Sequence, residues 1–98
     1  MEQRNRNAIG ASLRRIRIAR EFSQQRLAVE CSRLGYEFPR GTLAKIEAGI
    51  RAVSDVELFV LAHALSIDLP ELFPKDLLAK IRIGKVQPFH VRAAEGRG

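Results

Sequence analysis

The chain predicts an all-α fold of five short helices with a C-terminal extension, on three observations. Apolar residues recur at the i, i+3, i+4 spacing of one helical face from Ile9 to Phe73. Residues suited to capping (Asn7, Ser23, Ser54, Asp68) stand ahead of these runs, and Gly35, Gly49 and Pro74 stand behind them. Alternation of apolar and polar residues, the mark of a strand, occurs only weakly, at Val86, Phe89 and Val91.

Asn7 is placed to cap a first helix over 8–21. Ile9, Leu13 and Ile16 form its buried stripe, and Arg14, Arg15 and Arg20 fall off it. Ser23 is the N-cap of a second helix that turns Leu27, Ala28, Cys31 and Leu34 inward and ends at Gly35. Cys31 therefore reads as a small buried hydrophobe, with no second cysteine to resolve an oxidised form. Tyr36, Glu37 and Phe38 make a turn. Pro39, preorganised for a first helical turn where no N–H is needed, opens a third helix that buries Leu43 and Ile46 and stops at Gly49. With only two clear apolar anchors, this helix offers a whole face to something outside.

Residues 50–53 read as a loop. Ser54 and Glu57 then form the capping box of a fourth helix, lined inward by Leu58, Leu61, Ala62 and Leu65. Asp68 and Glu71 repeat the device for a fifth helix, with Pro70 in its first turn and Leu69, Leu72 and Phe73 in the core. One domain over 1–74 results, followed by an extension over 75–98. In the extension a further helix over 76–82 sets Leu77, Leu78 and Ile81 on one side, and 93–98 is a frayed tail.

Ninety-eight residues, 46% of them hydrophobic, suffice for one modest core without disulfide or metal. No apolar run approaches the roughly 18 residues of a membrane span, and MEQRNRNAIG lacks the apolar centre of a signal peptide. The single Cys31 excludes an internal disulfide and suits a reducing compartment, so a cytoplasmic protein is expected. Charge is unevenly spread. The net charge of +6 divides into +6 over 1–53, −4 over 54–74 and +4 over 75–98. A localised basic field of this kind draws polyanions, with the acidic middle turned away from them.

The basic half contains SQQRLAVECSRLGYEFPRGTLAKIEAGIR, two short helices joined by a turn. A helix pair of that size places side chains on the base edges of DNA. The major groove, about 12 Å wide, admits one helix with small or polar residues at its leading end. Arg40 and Lys45 can donate to guanine, the Thr42 methyl can touch a thymine methyl, and Gly41 lets the backbone come close. Free N–H groups at the helix starts suit phosphate.

Residues 9–73 resemble the Cro/repressor helix-turn-helix family, also called Xre-type regulators. The pieces that carry the resemblance are LRRIR, SQQRLA, TLAKIEAG, the R-x-V-S link, ELFVLAHAL and LPELF, in that order. The resemblance implies a five-helix lambda-repressor-like DNA-binding domain. It implies base contacts from Arg40, Gly41, Thr42, Ala44 and Lys45, and phosphate contacts from Ser23, Gln24 and Arg51, with Gln24 also bracing the reading helix. It further implies a largely buried ion pair between Arg17 and Glu47. Two departures stand out. The stretch between Leu27-Ala28 and Ile46-Glu47 is several residues longer than the family's, around Cys31–Phe38, and Pro39 replaces a capping Ser or Thr.

Other chemistry finds little support. His63 and His90 lie far apart, one cysteine and scattered carboxylates give no metal-ligand spacing, and no phosphate loop or nucleophile elbow is present. The expectation is a protein that is not an enzyme and needs no cofactor or metal. Its expected partner is double-stranded DNA, read at a palindromic operator by a repressor-like homodimer. The fifth helix and 75–91 are candidates for the dimer surface, since Leu77, Leu78, Ile81, Val86 and Phe89 exceed what a five-helix core needs. The alternative is a protein-interaction module such as an antitoxin, with residues 75–91 binding a partner protein and DNA binding serving autoregulation.

Overall fold

Local chemistry starts and stops each helix in the computed structural model, which describes residues 5–82. The order is α1 (Gly10–Ala19), α2 (Gln24–Arg33), α3 (Thr42–Glu47), α4 (Asp55–Ala64), a 3-10 turn (Leu69–Leu72) and α5 (Leu77–Arg82), with no strand among the described residues. The fold is all-α.

Ser23 caps α2 by accepting from the Arg26 N–H at 2.9 Å. Ser54 and Glu57 close a reciprocal capping box on α4, with Glu57 N donating to Ser54 Oγ and Ser54 N to Glu57 Oε1. α2 and α4, which are not neighbours in sequence, pack together in space, and α4 also lies on the 3-10 turn. α1 packs on α3 and on the 3-10 turn. One core results, from Ile9 just before α1 and Leu13 within it, Leu27 and Cys31 of α2, Leu43 and Ile46 of α3, Leu61 and Leu65 around α4, and Leu72. Each large aliphatic side chain buried there contributes roughly 1.5–3 kcal/mol.

α1 sits unusually close to α3. A Cβ on Gly10 would lie 2.5 Å from the Ile46 carbonyl oxygen and 2.8 Å from that of Glu47. Only a residue without a side chain lets the start of α1 meet the carbonyl end of α3.

Several elements differ from the sequence reading. The first helix spans Gly10–Ala19 rather than 8–21. Asn7 Oδ1 accepts from the N–H groups of both Ile9 and Gly10, so the Asn7 side chain sits one step outside the helix proper. Leu34 is 45% exposed, because α2 ends at Arg33 and the chain turns at Gly35 before Leu34 reaches the core. The third helix begins at Thr42, not at Pro39. Pro39 instead opens a β-turn, in which Thr42 N donates to the Pro39 carbonyl and Gly41 takes the left-handed conformation (φ 84°) that a type II turn needs at its third residue. The extra residues of the motif thus lengthen the connection between α2 and α3 to residues 34–41, well beyond a usual turn of about 3–4 residues.

The fifth helix is a 3-10 turn of four residues. Asp68 makes no side-chain cap, and Leu69 is exposed while Leu72 is fully buried. Pro70 and the tight 3-10 winding leave no room for a second capping box. Beyond it, α5 runs Leu77–Arg82 with Leu78 and Ile81 exposed. The alternation at Val86, Phe89 and Val91 lies outside the described residues, as does most of 75–98.

Candidate nucleic-acid interface

α3 has six residues, too few to hold helical shape alone in water. Two polar clips on the helix, a third on the loops that flank it, and the core hold it. At its C-terminal end Glu47 accepts from Arg17 Nε at 2.6 Å and Arg17 Nη2 at 3.0 Å, and from Gln24 Nε2 at 3.0 Å. Arg17 Nη1 donates in addition to the Phe22 carbonyl at 2.7 Å. The Glu47 side chain is only 3% exposed. A carboxylate so far from water is tolerated because two parallel guanidinium donors and an amide satisfy it. The bond to Glu47 raises the Arg17 pKa, so the guanidinium keeps its charge. α1, α2 and α3 are joined at this one carboxylate.

A second clip comes from Asn7, whose amide donates to the carbonyls of Ile46 (3.1 Å) and Arg51 (2.9 Å). Those carbonyls lie at the end of α3 and beyond it, where the helix leaves acceptors unpaired. Asn7 therefore starts α1 with its oxygen and finishes α3 with its nitrogen.

The third clip is Glu57. Its Oε1 accepts from Ser54 N and from Arg51 Nη1 (2.8 Å), and its Oε2 accepts from Arg51 Nη2 (3.0 Å) and the Tyr36 hydroxyl. The Arg51 guanidinium, helped by Tyr36 and the Ser54 N–H, holds the Glu57 carboxyl down at about 2 against the pull of burial. Through Tyr36, which meets Phe38 edge-on at 4.8 Å between centroids, the same carboxylate ties the long α2–α3 connection to α4.

What remains outside this frame is one face. Ala44 and Lys45 of α3 are exposed, as are Arg40 and Gly41 in the turn ahead of it. Neither Arg40 nor Lys45 forms an ion pair among the described residues. Thr42 does not join them. It is 9% exposed, because its i, i+4 relation to Ile46 sets it on the buried side of α3. Ser23 is exposed and Gln24 half-buried at the start of α2, where the first-turn N–H groups point outward. Arg51 is partly exposed but spends its donors on Glu57 and the Ala52 carbonyl. Sequence reasoning read Glu57 and Asn7 as caps only, and missed Tyr36. The capping box made Glu57 visible, whereas nothing local in sequence marks the long-range bonds of Asn7 and Tyr36.

The other chemistry is quiet. Burial raises the Cys31 thiol to about 11, so it stays protonated and unreactive. Among the described residues no group of His, Cys, Asp and Glu could hold a metal ion, and no helix is long and apolar enough to cross a membrane.

A family profile described as helix-turn-helix matches residues 13–72, from within α1 to the end of the 3-10 turn. No curated protein and no solved structure matches the chain. The profile covers more than half of the chain and contains α2, the long connection and α3 in the order and packing just described. The chain belongs to the Cro/repressor-type helix-turn-helix family of DNA-binding regulators.

Proposed function

We propose that the chain is a sequence-specific transcriptional regulator, repressor-like in action, that reads a palindromic operator as a homodimer through α3. The observation that supports this most is the outward set Arg40, Gly41, Ala44 and Lys45, free of the frame and set on or just before a helix whose C-terminal end is held by Asn7, Arg17 and Gln24. Lys45 reaches a guanine edge, Ala44 meets a thymine methyl, and Arg40 and Gly41 follow the groove wall. Thr42 supports the helix start from the buried side instead of touching a base. Phosphates are taken by Ser23, Gln24 and the open N–H groups of α2. Arg51 adds those donors that Glu57 and Ala52 do not use. One such helix reads only a few base pairs, and two, about 34 Å apart, multiply the discrimination.

The test is selection of random duplex DNA by the purified full chain at physiological salt, followed by sequencing. A palindromic enriched motif is the expected outcome, and an unenriched pool from a folded protein would refute operator reading. Lys45→Ala is then expected to relax preference at one base position at a cost of about 1–3 kcal/mol. Equal losses on operator and random DNA would remove Lys45 from the bases.

A second reading draws on the exposed Leu78 and Ile81 of α5. In it the 75–91 segment binds a partner protein, as in an antitoxin, and DNA binding is autoregulatory. That reading requires the segment to gain structure when the partner binds.

A further inference from the structure

We infer that the outward face of α4 is the contact between two copies of this chain, the two helices lying antiparallel with Phe59 at their crossing. The inference rests on the homodimeric reading above and names its surface.

A helix with one side in solvent is ordinarily polar on that side. α4 is apolar on both. Val60 and Leu61 are buried, yet Val56 is 55% and Phe59 64% exposed. The Phe59 ring stacks on the exposed His63 with centroids 5.9 Å apart. The one acidic group on this face is Asp55, also exposed.

The order of these residues identifies the occupant. Asp55 and His63 stand four residues to either side of Phe59. A second α4 laid antiparallel, Phe59 over Phe59, therefore sets each Asp55 against the other copy's His63. A two-fold contact makes both pairings at once. An imidazole N–H donates to a carboxylate in either protonation state. Charge elsewhere on the chain opposes self-association, since the whole carries +6 while residues 54–74 contain no Lys or Arg. α5 is the rival surface, but its Leu78 and Ile81 share a six-residue helix with Arg82, and Asp76, the acid beside it, already pairs with Lys80 at 3.5 Å, so pairing it with itself gathers the two Arg82 charges. A two-fold axis also preserves height along itself. Both α3 helices then reach the same side of the dimer, as two equivalent half-sites require. One helix pair is a small contact of the transient class, so the dimer is concentration-dependent and is reinforced when both halves hold one operator.

Sedimentation equilibrium of the full chain tests this, with circular dichroism as the check on folding. Wild type is expected to dimerise. Phe59→Asp, at a largely exposed position, is expected to keep the fold and raise the dimer dissociation constant by at least about thirtyfold, the size of an interface hot spot. His63→Asp sets carboxylate against carboxylate and weakens the dimer. Adding Asp55→Lys to it restores opposite charges and recovers most of the loss. If F59D sediments like the wild-type dimer, or the D55K/H63D pair recovers nothing, the α4 contact is overturned while the homodimeric reading stands. If wild type stays monomeric even on palindromic DNA, that reading falls and the inference falls with it.

Discussion

Glu57 illustrates what a single side chain can fix. Four donors from Ser54, Arg51 and Tyr36 meet on its two oxygens. Its carboxyl is held at about 2 in the fold against 4.5 as the ordinary value. Because the folded value is the lower one, the unfolded chain takes the proton first as pH falls. The stabilisation is complete above about pH 5 and is lost as pH drops through 4.5 towards 2, on the order of 2–3 kcal/mol. Glu57→Gln is therefore expected to destabilise the protein by a similar amount at pH 7 and by little at pH 2. Urea denaturation of both proteins at the two pH values checks this, and a gap that does not narrow would remove Glu57 from the acid response. At this scale the sequence was partly readable. The Ser54–Glu57 spacing declares a capping box, but the same carboxylate's bonds to Tyr36 and Arg51 depend on how two loops fold back, which no local spacing records. Thr42 shows the converse. Its methyl suits a base, yet four residues on stands Ile46, and that register buries it.

Among elements, the longer helices were legible because their caps are local. Ser23 and Ser54 sit where the hydroxyl meets a first-turn N–H. The short elements were not. The start of α3 depends on the left-handed turn at Gly41, and Pro39 misleads by suiting either a helix start or a turn. The stretch after Asp68 contains the residues of a capping box but has only four residues in which to wind, and it takes the tighter 3-10 form. The pairing of α1 with α3 carries its own test. Gly10→Ala places a methyl against two backbone carbonyls that cannot rotate away. The expected result is a loss of about 1–3 kcal/mol from overpacking, larger than the gain in helix propensity. A drop in operator affinity should accompany it, because α3 has to move. Thermal unfolding together with DNA titration reads both. A more stable variant would show that the two helices separate freely.

For the whole molecule, charge distribution matters more than net charge. The basic N-terminal half holds the proposed reading face, and the segment that follows it is acidic. Operator binding is expected to weaken linearly in log affinity against log salt, by about 0.9 per phosphate contacted. Arg51→Ala should lower that slope by about one unit, whereas Glu71→Gln, in the acidic segment, should leave it unchanged. Binding measured from 50 to 200 mM salt decides this, and a slope that follows Glu71 instead would mean that overall charge, not contact, governs the response. The architecture also separates two kinds of position on α3. Its inward residues and its ends carry the bonds from Asn7, Arg17 and Gln24, while Ala44 and Lys45 carry none of them. Mutation at these outward positions is therefore close to free of penalty for the fold. If these positions read the operator as proposed, a lineage can drift from one operator to another through them without passing through an unstable ancestor, so descendants of one scaffold can diverge in address while keeping the same chassis.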